Sequence, residues 1–197
     1  MGMLLSGMNR LDESIAALKQ SIEISSQLGD YRSSVSGYYG LGLTYAKKGD
    51  YAQAKAALDR GFKEGKDLVI PDLMWRIYRQ RALVLAAMGK QRESLDDFKN
   101  AVQIVETMRT ELRVEQLKQG FFDDKMDLYI DLIQYLQQNR QFDEAFHTAE
   151  RAKSRNFIDL LGNQSFRDFH LHDDLLEKEK AAKLSIQEAQ SRLAVLN

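Results

Sequence analysis

The chain has 197 residues, with 28 basic against 29 acidic side chains, no cysteine and a single proline. That balance excludes a global pull toward nucleic acid or anionic lipid, and the missing thiol excludes disulfides, thiolate metal sites and a cysteine nucleophile. The longest apolar run, ALVLAAMG at 82–89, is far short of the roughly 20 residues that span a bilayer, and no signal peptide opens the chain.

A cytoplasmic location fits, with neither membrane nor nucleic acid as a partner. Helix is expected almost throughout, because Ala, Leu, Glu, Gln, Lys and Arg dominate the periodic segments and β-branched alternation is absent. The fold class is all-α.

The elements come in four units. The first, 1–28, carries Gly2, Leu5, Leu11, Ser14, Leu18 and Ser21. The second, 31–69, carries Tyr38, Leu41, Gly42, Tyr45, Gly49, Asp50, Tyr51, Ala54 and Leu58. The third, 71–118, carries Tyr78, Ala82, Leu85, Gly89, Ser94, Phe98 and Ala101, so corresponding places in these three units lie 40 residues apart. The fourth, 121–165, is out of phase and carries Tyr129, Leu132, Leu136, Phe142, Ala145, Ala149 and Ala152.

The order in the second unit resembles the tetratricopeptide repeat (TPR): aromatic, Leu-Gly, Tyr, Gly-Asp-Tyr, Ala, then a large apolar residue. The resemblance implies a TPR-type right-handed α-solenoid of antiparallel helix pairs. Small residues at Gly42 and Ala54 then let the two helices of a pair approach, while Tyr45, Tyr51 and Leu58 fill the ridges around that contact. The fourth unit has Ile133 at the small place, with Ala149 where a large residue is usual. A 40-residue period exceeds the usual 34, so helices at 31–48 and 51 to about 69 are expected to be long. Gly29 with Asp30, and Gly49 with Asp50, mark turns, and Pro71 starts a helix at its first position.

Met1 falls part-way along a first helix, which makes 1–28 a truncated repeat with an unpaired apolar face. Self-association through that end is expected, or through the last helix. The opening MGMLLS matches a myristoylation pattern, but Gly2 sits at the small place of the repeat, and the structural reading is preferred.

After Ala101 the helix is expected to run to about Lys118. Phe121, Lys125, Tyr129, Ala145, Glu150, Arg151, Ala152, Lys153, Arg155, Leu160 and Leu161 then follow in an order that resembles the junction of bacterial TPR proteins carrying a C-terminal CHAT domain, a caspase- and separase-like fold. The resemblance covers about 100–165. It implies that 166–197 is a linker and long C-terminal helix leading to a domain absent from this chain. Leu175, Ala182, Ala189 and Leu196 recur every seven residues there, and Asp173 or Asp174 is the expected N-cap.

Phe146, Ala149, Ala152, Phe157, Leu160 and Leu161 form an apolar stripe at helical spacing, read as core. Arg151, Lys153 and Arg155 lie late in that helix, where cations suit its free carbonyls, and Gly162 ends it. The same three cations are a candidate docking surface for an attached domain.

Catalytic chemistry has no support in the motifs. His147 has no triad-like spacing to a serine or carboxylate, His170 and His172 with Asp173 and Asp174 make a weak metal pattern, and no phosphate-binding glycine loop is present. No catalytic residue, metal site or cofactor is expected. The leading function is a non-catalytic scaffold binding a peptide or partner helix in the concave groove of the first helices. Its expected lining is Tyr39, Leu43, Lys47, Arg76, Arg79 and Leu83, an apolar strip with a basic rim that suits acidic or acidic-amphipathic segments. The alternative is the regulatory arm of a CHAT-family cysteine protease, for which the gene downstream of Asn197 is the discriminating observation. A third reading is the sensor half of a TPR-containing regulator.

Overall fold

The computed structural model describes residues 2–8, 10–111 and 125–161, with side chains through Lys153 except at Leu5. Among these residues the secondary structure is helical: α1 (Gly2–Gly7), α2 (Leu11–Gln27), α3 (Tyr31–Lys47), α4 (Tyr51–Gly65), α5 (Pro71–Ala87), α6 (Gln91–Glu111), α7 (Met126–Gln138) and α8 (Phe142–Leu161). They pair as α1/α2, α3/α4, α5/α6 and α7/α8, and the first helices also touch in succession, α1 to α3, α3 to α5 and α5 to α7.

The turns follow from local chemistry. Gly29, Gly49 and Gly89 adopt φ of 70°, 81° and 73°, the left-handed conformation that closes a helix and that glycine enters without a Cβ penalty. The amide one residue later then bonds back to the carbonyl five residues earlier: Asp30 to Ser25, Asp50 to Tyr45 and Lys90 to Leu85, each at 2.9 Å. Arg140 makes the fourth closure with a φ of 58°, followed by the Gln141 amide on the Leu136 carbonyl at 2.9 Å. Asp30 and Asp50 cap the next helices, accepting from the Ser33 and Gln53 amides at 3.1 Å.

Between α4 and α5 there is no such closure. α4 ends at Gly65 rather than continuing to about 69, and the extra length of the period is shared with the connection at 66–70. Ile70 precedes Pro71 and is held out of the helical region at φ −132°, while Pro71 takes the first position of α5 as its spacing predicts. Leu68 turns inward against the core and Val69 stands 96% exposed.

Pair packing matches the small-residue logic. A Cβ on Gly42 would lie 2.5 Å from Leu58 Cγ, and one on Gly2 would lie 2.5 Å from Leu18 Cγ, so both crossings are closed by a backbone seated on a leucine. Ala54, Leu58, Ala82, Phe98 and Ala101 have no exposed surface, and Tyr45 is half-buried beside them. In the fourth unit Ala145 and Ala152 are buried, and Ile133 and Ala149 are half-buried. Three clusters of buried side chains succeed one another along the stack.

Two packing expectations also fail. Tyr51 is 39% exposed at the first position of α4 and fills no ridge. Phe146 is 64% exposed, because the buried face of α8 runs through Ala145 and Ala152, which turns Phe146 away. Phe157, Leu160 and Leu161 lie outside the described side chains; the end of the third repeat at 112–118, and the linker, C-terminal helix and N-cap placed at 166–197, lie outside the described residues.

Candidate functional site

The predicted strip lies on the first helices. Tyr39 on α3 is half-buried and packs against the central core. Burial pushes its phenol above the ordinary tyrosine value, and the positive charges of Arg76 and Arg79 on α5, with a hydrogen bond from Arg76, pull it partly back. Tyr39 and both arginines therefore share one neighbourhood. Leu43 is half-buried, and Leu83 is half-buried against the cluster of α5, α6 and α7. Lys47, at the far end of α3, donates from Nζ to the Ser6 carbonyl of α1 at 2.8 Å.

The basic rim is less open than its sequence implies. Arg79 Nε donates to Asp131 at 2.6 Å and its Nη2 lies 3.8 Å from Asp127, so α7 supplies two carboxylates to one guanidinium. Arg76 lies with its guanidinium carbon 4.6 Å from the Trp75 ring centroid. Arg32 on α3 donates to Asp72 on α5 at 2.6 Å, a link between residues 40 apart that occupy the same place in successive repeats. Polar contacts thus run along the face from α1 to α3, α5 and α7.

A second polar group was not anticipated. Arg81 leaves α5 between α4 and α6, donating to Asp97 from Nε at 2.6 Å and from Nη2 at 2.7 Å, with Asp59 at 3.4 Å. Phe62 and Tyr78 flank it, with ring centroids 4.6 and 5.4 Å from the guanidinium carbon. Burial opposes its charge, but the bonds to Asp97 and the fields of Asp97 and Asp59 outweigh it, and its pKa stands above the ordinary arginine value. Asp97 is 5% exposed. This is a clamp among three helices. The available sequence signal was charge at two positions where the repeat places core: Asp97 precedes Phe98, and Arg81 precedes Ala82.

Arg151 and Lys153 are exposed on α8, and the side chain of Arg155 lies outside the described part. His147 is exposed, and His170 and His172 lie outside the described residues. Among the described residues no three His, Asp, Glu or Cys side chains gather in a metal-binding group, and no helix is long and apolar enough to cross a membrane. Two residues that carried the CHAT resemblance are packing residues. Lys125 is 7% exposed with Nζ 5.9 Å from the Trp75 ring centroid, and Tyr129 is fully buried and donates to Glu106 at 2.9 Å.

Residues 1–63 match the family model of the tetratricopeptide repeat. No curated protein matches the chain. Among solved structures, it is similar to chains described as the nearly identical TPR-like repeats of a Podosopora anserina kinesin light chain. One, a variant, is 15% identical with a TM-score of 0.61, over 95% of this chain and 93% of that one. A second is 16% identical with the same TM-score, over 94% and 93%. At that identity the likeness speaks for the fold. The small-residue crossings, the repeated turns and these likenesses agree: the chain is an all-α TPR-type solenoid whose first 63 residues carry the tetratricopeptide-repeat pattern.

Proposed function

We propose that this chain is a non-catalytic protein-interaction scaffold that holds an extended peptide or a partner helix on the concave face of its first helices. TPR repeats generally bind proteins or peptides, and the observation that carries the reading to particular residues is the meeting of Tyr39 with Arg76 and Arg79 across α3 and α5. An amphipathic tyrosine within the influence of two guanidinium groups offers a ligand apolar area and nearby donors. Leu43 and Leu83 extend the apolar part, and Lys47 stands at one end. The partner class is an acidic-amphipathic segment.

The test is a panel of acidic-amphipathic and basic-amphipathic peptides titrated calorimetrically against the wild type, Arg76→Glu and Tyr39→Ala. The acidic set is expected to bind and to lose at least tenfold in affinity with either substitution. Equal binding of both sets, or binding indifferent to both substitutions, sinks the assignment.

The regulatory-arm reading, in which this chain serves a CHAT-type protease domain and Arg151, Lys153 and Arg155 dock that domain, rests on the resemblance of 100–165. Lys125 and Tyr129 support it by joining α7 to Trp75 and Glu106, since an arm that relays a signal needs such continuity. Charge reversal at Arg151 and Lys153 that leaves a CHAT-domain partner in place would discard it.

A further inference from the structure

The Arg81 clamp has no equivalent one repeat earlier. Forty residues before Arg81, Asp97 and Asp59 stand Leu41, Ala57 and Lys19, so the guanidinium and both of its carboxylates are gone. Tyr38 keeps the place of Tyr78, one of the rings beside that guanidinium, and Ile22 takes the place of the other, Phe62. The space that Arg81 fills between α4 and α6 is therefore open between α2 and α4. A cleft of about 490 Å³ lies there, against about 270 Å³ beside the clamp.

The floor of this cleft is apolar. Ile22, Leu41 and Ala57 belong to one buried cluster, against which Tyr38 and Tyr45 pack half-buried, and all five line the cleft. Its walls carry cations. Lys19 comes from α2 and Arg60 from α4, both exposed, and among the described residues neither makes an ion pair.

The glycine contacts set the height of these two cations. A Cβ on Gly40 would lie 2.9 Å from Leu18, and one on Gly42 would lie 2.5 Å from Leu58. Because α3 runs antiparallel to both neighbours, Lys19, just after Leu18, and Arg60, two residues after Leu58, stand level with Gly40 to within about one residue, a rise of about 1.5 Å. The one carboxylate among the lining residues, Glu23, lies a turn further along α2.

The volume is that of a small-molecule site, and its lining selects the ligand. A flat apolar body covers Leu41 and Ala57 beside the two tyrosines, and an anionic group at the level of Gly40 meets both cations. Such a molecule supplies what the clamp supplies in the next repeat, bulk in the cleft together with charge that is neutralised. It also spans α2 and α4, which have little direct contact of their own.

We propose that the cleft between α2 and α4 is a binding site for a small aromatic carboxylate, its ring on Leu41 and Ala57 and its carboxylate between Lys19 and Arg60. The site shares no residue with the strip of Tyr39 and Arg76, so its outcome is separate from peptide binding.

The probes are 2-naphthoate and its uncharged analogue 2-naphthamide, titrated calorimetrically into the full chain. Naphthoate is expected to bind saturably, one to one, and about tenfold more tightly than the amide, the worth of one charged contact. Lys19→Gln with Arg60→Gln should remove that preference and leave amide binding as it was. Leu41→Arg with Ala57→Asp rebuilds the clamp inside the cleft and should abolish binding of both probes, with far-ultraviolet circular dichroism unchanged. If that double variant unfolds, the glutamine pair alone decides. Absence of saturable naphthoate binding overturns the proposal, as does equal affinity for the two probes or a preference indifferent to the two glutamines. Binding that survives the rebuilt clamp puts the ligand elsewhere, such as the apolar hollow of about 500 Å³ beside Leu68 and Met108, and overturns it too.

Discussion

Ser94 donates its hydroxyl to the Ala82 carbonyl at 2.9 Å, reaching from α6 to α5 where the two helices cross. Eighty residues earlier Ser14 makes the same bond to Gly2 at 2.8 Å, and between them Ala54 occupies the place with no hydroxyl at all. The bond is therefore an addition to a crossing that small size alone makes possible. Ser94→Ala is expected to cost about 1 kcal/mol, the net value of one hydrogen bond. Ser94→Leu should cost more, about 1 to 3 kcal/mol through overpacking. Urea midpoints of the two variants check the order.

The Gly42 crossing predicts a non-additive pair. With Leu58 Cγ 2.5 Å from where a Cβ would stand, Gly42→Ala must displace a fully buried leucine and should cost about 1 to 3 kcal/mol. Leu58→Ala alone should cost about 2 to 5 kcal/mol through the cavity. In the double variant the new methyl enters that cavity, and a double-mutant cycle should show a favourable coupling of at least about 0.5 kcal/mol.

Arg81 and Asp97 behave as a unit. Side-chain exposure is 16% and 7%, so removal of either partner strands a charge with little water, and Arg81→Met or Asp97→Leu should each cost about 3 kcal/mol or more. The double replacement should recover most of that loss. Chemical denaturation of all three variants is the measurement.

Acid sensitivity has an identifiable contributor at the start of α3. Hydrogen bonds from the Ser33 hydroxyl and then the Ser33 amide hold the Asp30 carboxyl below the ordinary aspartate range. A depressed folded-state value means the stabilisation is present above the unfolded value of about 3.9 and is lost as pH falls through the folded one. Asp30→Asn keeps an acceptor for the cap without a titrating group. Its urea midpoint should therefore fall less steeply than that of the wild type below the ordinary aspartate value.

The solenoid was legible because its determinants are local and recur. Gly29 and Gly49, each followed by Asp, signal turns from sequence alone, and Gly42 with Ala54 signals a close crossing. What was missed depended on neighbours brought together by stacking. Arg79 reads as a free groove cation until α7, beyond residues 112–124, sets Asp131 against it. Arg81, which the sequence reading did not single out, acquires its role only when stacking sets Asp97 and two rings around it. Phe146 reads as core by period, but the neighbouring alanines define the buried face. Helix length was overestimated in α4 because the period was assigned to helix alone, when the connection at 66–70 takes part of it.

Trp75, the only tryptophan, is 1% exposed and sits where α5 meets α6 and α7. Among the described residues the main packing of each helix extends no further than the next two in the stack, so α1 and α8 do not brace one another. An emission signal from that indole consequently records the melting of one joint. The ellipticity of the whole chain averages over all of them, and the two curves should separate wherever neighbouring joints differ in strength.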